Sequence, residues 1–480
     1  MSNYHSNRVI FINTVWSFIG RFGSITISLI TNIILVRLLS PQDFGQVGII
    51  MFFVVISSVL VESGLGGALV RQEHTSEVDY STVFIFNLLI SIIIALGIFI
   101  SAESIAVYYN DDKLIFLLKL ASLVLIFNAL RITQAVKLIR SLRFKEKSLY
   151  ETTAFSIAAS ISIYMAIEGY GPVALVMLEL VNTIILTIIF WYFVGPLKKF
   201  KFSSSSFLKF YKFGFNTTLA SLLNQVFDNI YHLILAKYFS IQQAGYFYQA
   251  KKIQGLPLGI IQGSVLNVVY SALSRLQNNT TEFNKLYYNV VKIFTIGVAF
   301  LCIVIFLYAD ALINILYGSE WYHSIYYLKI LIVAAFFSLQ EILISLIFKV
   351  FDRTDMILKL EILKKILLSI TIFYGILVSN VNYLFYGFVL TAIFSFLINY
   401  YYAKKVQMSF FWDEIIIVMK VVLISILIVV FFDFLNGFYE IEIGVGFFMF
   451  PVIFLSYILA LFVVGVLSLN EIKIMKKIFR

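Results

Sequence analysis

The chain has 480 residues, 61% of them hydrophobic and only 13% charged, with a formal net charge of +10. Soluble domains carry roughly a quarter charged residues, so this composition excludes a water-soluble fold. The basic excess sits at the ends of apolar runs, where it orients a membrane protein and gives no reason to invoke nucleic acid. The one cysteine, Cys302, lies inside an apolar run, which excludes an intramolecular disulfide and a cysteine metal cluster; the four histidines, His5, His74, His232 and His323, match no ligand spacing.

About 20 apolar residues cross a bilayer as a helix, and the hydrophobic blocks predict fourteen spans. These fall near residues 10–36, 45–69, 81–104, 114–136, 149–168, 171–195, 210–236, 244–271, 289–309, 325–348, 360–378, 382–403, 415–434 and 443–468. The first follows Arg8, is longer than a signal-peptide core and lacks a small-residue cleavage site, so it reads as a retained helix. Arg21 lies midway along it between Gly20 and Gly23. An ionisable side chain so deep faces a watery cavity or a partner: either it is a cavity cation for an anionic substrate, or it forms an ion pair, with Glu62 of the second span as the candidate.

The turn between the first two spans, ILVRLLSPQDFG (Ile34 to Gly45), returns without a gap as ILAKYFSIQQAG (Ile234 to Gly245), with five of twelve positions identical and Arg37 matched by Lys237. The chain is therefore expected to be a duplicated object. Six spans separate the copies, so both cross the membrane in the same sense, about an axis along the membrane normal. Every second connection is basic. Arg131, Lys137, Arg140, Arg143, Lys145 and Lys147 cluster around the fourth span, and Lys198, Lys199, Lys201, Lys209 and Lys212 around the sixth. Arg275, Lys285, Lys349, Arg353, Lys359, Lys364, Lys365, Lys404, Lys405 and the C-terminal Lys473, Lys476, Lys477 and Arg480 continue the pattern. By the positive-inside rule both termini are cytoplasmic, which requires an even number of spans.

KKFKFSSSS, Lys198 to Ser206, reads as the linker between lobes, giving domains 1–200, 201–405 and 406–480, the last holding spans thirteen and fourteen. In the seventh span Ser221, Asn224, Gln225 and Asp228 recur at helical intervals and make one hydrophilic stripe. Lys251 and Lys252 sit about two turns into the eighth span, before Gly255 and Pro257, which loosen or kink that helix. Adjacent helical positions diverge by about 100°, so one lysine is expected in the cavity and the other partnered or snorkelling. Glu62, Glu179 and Glu341 are further buried carboxylates, read as ion-coupling groups or as packed, paired ones. Tyr246 and Tyr248 are candidate sugar-stacking rings.

With these residues in view, the chain resembles the Wzx-like polysaccharide transporter flippases of the MOP exporter superfamily. The likeness is carried by LVRLLSPQDFG (Leu35 to Gly45), ESGLGGALVRQ (Glu62 to Gln72), SLRFKEKSLYE (Ser141 to Glu151), YGPVALV (Tyr170 to Val176), Asn224 to Gln277, and LYGSEWYHSIYYLKIL (Leu316 to Leu331). The resemblance implies an all-α, V-shaped integral membrane protein of fourteen helices, two pseudo-symmetric six-helix lobes plus two C-terminal helices. It implies a bacterial inner-membrane flippase that turns over undecaprenyl-pyrophosphate-linked oligosaccharide by alternating access, with membrane lipids and a polysaccharide polymerase or chain-length regulator as partners. No catalytic residue, metal or cofactor is implied beyond a coupling ion, H⁺ or Na⁺. Arg21 and Lys252 match positions often basic in relatives, and Asp228 matches a recurrent acidic one; Gln249 and Lys251 depart from the arginine and tyrosine common there.

Two other classes compete. A multidrug antiporter of the same superfamily would favour acidic cavity residues and twelve spans. A membrane-embedded polymerase or glycosyltransferase would need a large outer loop or a catalytic acidic cluster, and the longest outer connection is Asp310 to Ser324. No nucleotide-binding loop is present, so the sequence encodes no ATP hydrolysis.

Overall fold

The computed structural model describes the backbone of residues 7–62, 64–406, 412–439 and 443–468, and among these there is no strand. The α-helices, in chain order, are α1 (Asn7–Leu38), α2 (Pro41–Glu62), α3 (Leu65–Arg71), α4 (Glu77–Tyr109), α5 (Lys113–Arg140), α6 (Phe144–Ile167), α7 (Pro172–Phe193) and α8 (Ser204–Tyr238). They continue with α9 (Ile241–Ile260), α10 (Leu266–Arg275), α11 (Thr280–Leu307), α12 (Ala309–Leu316), α13 (His323–Val350), α14 (Thr354–Leu377), α15 (Val381–Val406), α16 (Trp412–Tyr439) and α17 (Ile443–Val463). Among the described residues nine helical segments are long and apolar enough to cross a membrane, and Phe22–Leu38 and Met449–Val463 are shorter apolar helices. The long helices outside those groups, α6, α8 and α14, carry the polar stripe or several charges, which lowers their hydropathy without shortening them.

Polar residues mark the helix ends. Ser76 and Asp79 form a capping box at α4, the Ser76 hydroxyl accepting from the Asp79 amide and the Asp79 carboxylate from the Ser76 amide at 2.9 Å. The duplicated serine does the same work twice: Ser40 accepts from the Asp43 amide ahead of α2, and Ser240 from the Gln243 amide ahead of α9. Each satisfies a backbone donor that the first helical turn leaves open.

Two compact units form, residues 1–248 and 249–480. In the first, α2 contacts α4, α5, α7 and α8, and α4 pairs with α5. The expected linker is pinned there, the Lys201 amide donating to Ser81 Oγ at 2.8 Å and the Ser203 amide to Thr82 Oγ1 at 3.1 Å. The core of the second is built on α10, α11, α13, α15, α16 and α17, with Tyr457 of α17 donating to the Ile296 carbonyl at 2.9 Å.

The duplication is visible as repeated local geometry. Leu142 and Asp352, 210 residues apart, both follow a helix in the left-handed region at φ 54°. In each turn the next amide reaches back five residues, Arg143 to the Leu138 carbonyl at 2.9 Å and Arg353 to the Phe348 carbonyl at 2.7 Å, the bond that closes a Schellman motif. Lys119 pairs with Glu103 at 3.4 Å and stands over Phe99; Lys329 pairs with Asp310 at 2.7 Å and stands over Phe306. Inside the first unit the two repeated glycines meet at one crossing. A Cβ on Gly45 would lie 1.8 Å from the Ile241 carbonyl oxygen, and a Cβ on Gly245 1.8 Å from the Pro41 carbonyl oxygen. Glycine is required at both positions because the backbones of α2 and α9 touch there.

The longest expected outer connection is not a loop. Asp310 to Ser324 holds α12 and a 3₁₀ turn, Ser319–Trp321, with Tyr317 and Trp321 buried. Two aromatic side chains fold that segment down onto the unit.

Candidate functional site

The hydrophilic stripe of the seventh span lies on α8, whose start is capped by Ser203 accepting from the Ser206 amide. Ser221, Asn224 and Asp228 are exposed and Gln225 is half-buried, so the stripe forms an accessible face of its unit. Asn229 ties back to it, its amide donating to the Gln225 carbonyl at 2.9 Å. A polar row on an otherwise apolar helix faces water or protein, because in hydrocarbon its groups would go unpaired.

Glu62, at the last position of α2, is exposed. It belongs to the electrostatic surroundings of a residue that sequence reasoning grouped with the connections, Arg131. Its guanidinium is held by Asn128 one turn earlier, Nε donating at 2.9 Å and Nη2 at 2.6 Å, and feels the carboxylates of Glu179, Glu151 and Glu62. Four helices, α2, α5, α6 and α7, thus set one cation among three carboxylates within the first unit. The signal that could have found it is the i, i+3 spacing of Asn128 and Arg131 within the last turns of the fourth apolar run. Arg21 lies outside the residues whose side chains are described.

Lys251 and Lys252 belong to the second unit and to a regular stretch of α9, so they point about 100° apart; Lys251 is half-buried and Lys252 exposed. The helix is fastened to α13 by the Gln254 amide donating to the Leu331 carbonyl at 2.8 Å. Beyond Pro257 regularity fails: Ile261–Val265 is a π-helical turn, with the Leu266 amide reaching the Ile261 carbonyl, before α10 resumes. Pro257 has no amide hydrogen and its ring crowds the preceding turn. Gly255 and Gly259 face open space, so no packing enforces straightness.

Glu341 is a paired carboxylate. Lys364 of α14 contacts both Glu341 of α13 and Glu361 of its own helix, with side-chain exposures of 9% for the lysine and 15% for Glu341. Lys364 lies ten residues, about 15 Å, from the start of α14, so it serves an internal ion pair, not the basic connection to which the sequence assigned it. Of the two tyrosines, Tyr246 is corrected. Tyr246 is buried and its hydroxyl accepts from Gln242 at 2.9 Å, while Tyr248 packs on Phe44 and His232 at ring distances of 6.2 and 5.4 Å. Tyr246 therefore offers no open ring face, while Tyr248 is half-buried against its two neighbours. Among the described residues no group of three histidine, cysteine, aspartate or glutamate side chains could hold a metal ion.

Comparison with known proteins places this architecture. A family model described as "Polysaccharide biosynthesis protein" matches residues 34–326. The chain is 22% identical over 312 residues to the succinoglycan biosynthesis transport protein ExoT of Rhizobium meliloti (strain 1021), a match over 65% of this chain and 63%, under two thirds, of ExoT. It is 20% identical over 394 residues to the lipopolysaccharide biosynthesis protein WzxC of Escherichia coli (strain K12), covering 81% of this chain and 80% of that one. Among solved structures it is similar to the lipid II flippase MurJ in an inward closed conformation, with a TM-score of 0.71 at 18% identity over 95% of this chain and 98% of MurJ. It is also similar to an inward-facing multidrug resistance MATE family transporter of the MOP superfamily, with a TM-score of 0.61 at 16% identity over 80% and 96%. The fold is that of the MOP-superfamily transporters, in a multi-pass membrane protein.

Proposed function

We propose that this chain, which belongs to the polysaccharide biosynthesis protein family, is a flippase. It moves undecaprenyl-pyrophosphate-linked oligosaccharide units from the cytoplasmic to the periplasmic leaflet of a bacterial inner membrane, for surface polysaccharide assembly. The head of such a substrate is anionic and hydrated, so its transfer into hydrocarbon is very unfavourable unless charge and hydrogen bonds replace water. The observation that carries the reading is the placement of accessible polar groups on apolar helices: Lys252 on α9 and the Ser221, Asn224 and Asp228 face on α8. Arg21 and Lys252, with Lys251, are the groups we assign to the pyrophosphate, and alternating access exposes them to each side in turn.

The basic connections set both termini in the cytoplasm. Energy comes from an H⁺ or Na⁺ gradient or from the substrate gradient; Glu62 and Asp228 are the candidate coupling residues, with Asn224 and Gln225 lining the path. No bond is made or broken in the substrate, and the chain acts as a transporter with polymerase and chain-length proteins downstream.

The test is complementation of a flippase-deficient strain, scoring surface polysaccharide, with Arg21→Ala and Lys252→Ala measured at matched protein level. Wild-type export is expected to be restored and both variants to lose most of it. Normal export by both variants overturns the site assignment, and failure of the wild-type chain in strains covering several glycans overturns the function.

A further inference from the structure

We infer that the second unit holds a structural phospholipid whose headgroup is a primary-amine zwitterion, as in phosphatidylethanolamine, seated on the Lys329–Asp310 pair with an acyl chain in the groove beneath it. The groove is a cavity of about 400 Å³ between α11, α13, α15 and α16, lined by Cys302, Phe306, Val333, Phe337, Val422 and Ser425 among others. Its walls are almost wholly apolar. Phe306, the penultimate residue of α11, is part of its wall, and beside that ring the surface changes character: Lys329 Nζ stands 5.6 Å from the Phe306 ring centroid and 2.7 Å from Asp310 Oδ2.

Both ionic groups lie near helix ends. Asp310 is the second residue of α12, and Lys329 is six residues, about 9 Å, from the start of α13. The cavity runs inward from that level through Ala299, seven residues or about 10 Å from Phe306. A slot with a charged rim and a greasy floor has the polarity of a phospholipid.

The rim selects the head. An ammonium has three donor hydrogens and a carboxylate about four acceptor positions, so one mutual contact leaves valence on both; Asp310 keeps 51% of its side-chain surface and Lys329 27%. A phosphate can add to Lys329 while a primary ammonium adds to Asp310. A purely anionic head would meet the carboxylate at short range, where like charges are strongly unfavourable in a low-dielectric setting. A choline head carries its positive charge without N–H donors and cannot hydrogen-bond Asp310. The chemistry therefore favours the primary amine over both.

The test uses the purified full chain in detergent, with thermal unfolding followed as phosphatidylethanolamine, phosphatidylcholine or phosphatidylglycerol of identical acyl composition is added. The ethanolamine lipid is expected to raise the apparent midpoint at least twice as far as either of the others. Asp310→Asn and Lys329→Gln should reduce that advantage to the choline level, while Val333→Trp, which fills the groove from a partly exposed position, should blunt the response to every lipid. Glu103→Gln and Lys119→Gln, at the matching pair of the first unit, should leave the advantage in place. Equal shifts for the three lipids, a larger shift with the glycerol head, retention of the advantage in both rim variants, or equal loss in the first-unit variants would each overturn the site.

Discussion

Replacing Gly45 by alanine tests the crossing that the duplicated glycines build. The added Cβ would start 1.8 Å from the Ile241 carbonyl oxygen, whereas ordinary contact begins at 3.4 Å, so α2 and α9 must part locally by about 1.6 Å. Overpacking of this kind costs about 1–3 kcal/mol, and the upper end is expected because the obstacle is backbone, not a side chain that can swing away. Helix propensity acts oppositely, since alanine is favoured over glycine by up to about 1 kcal/mol in a helix interior. Gly97→Ala, a helical glycine with open space around its would-be Cβ, isolates that term and should be neutral or stabilising. Gly245→Ala should match Gly45→Ala, and because a single parting of the helices relieves both contacts, the double variant should cost less than the sum by about 1 kcal/mol. Unfolding titrations of purified protein measure all four. If Gly45→Ala is as stable as Gly97→Ala, or if the two glycine losses add fully, the reciprocal crossing is wrong.

Lys364→Ala strands Glu341 beside Glu361, and removing one partner of a buried pair costs about 3–5 kcal/mol; Lys364→Met combined with Glu341→Leu should recover most of the loss in the same titration. Ser76→Ala removes the hydroxyl of the α4 capping box and should lower stability by about 1 kcal/mol, with Ser40→Ala and Ser240→Ala similar to each other. Outside the membrane-spanning segments, the hydrogen bond from Arg143 holds the Glu146 carboxyl below its usual range. The pair's contribution is thus fully present above the ordinary carboxylate pKa and fades as pH falls through the lowered value. Arg143→Gln should cost under about 1 kcal/mol at neutral pH, the pair being well exposed, and the difference from wild type should vanish in acid titrations. A loss that persists in acid would assign it to packing.

Much of the fold was legible because it is written in long apolar runs and in a short-range repeat. ILVRLLSPQDFG and ILAKYFSIQQAG announced two hairpins of the same kind, and the serine and glycine they share turn out to be the cap and the crossing. The polar face of α8 was likewise readable, since Ser221, Asn224, Gln225 and Asp228 follow the 3.6-residue period within one helix. What could not be read were groupings made by tertiary packing. Arg131 and Lys364 looked like loop bases because charge near the end of an apolar run carries no information about which neighbouring helix will face it. Tyr246 and Tyr248 sat beside lysines in the sequence, yet helix rotation buries Tyr246 and lays Tyr248, half-buried, against Phe44 and His232.

The spacing between matched features changes along the chain. Gly45 and Gly245 are 200 residues apart, Phe99 and Phe306 are 207 apart, and Lys119 and Lys329 are 210 apart. The second copy is therefore seven residues longer than the first between Gly245 and Phe306, and three residues longer between Phe306 and Lys329. The first difference falls in the stretch holding Pro257 and the π-helical turn, the second in the stretch holding Trp321. In those two stretches the halves differ in length, so they are not interchangeable residue for residue. A chimera that swaps a half for its twin would have to reconcile both length differences to keep the matched features in register.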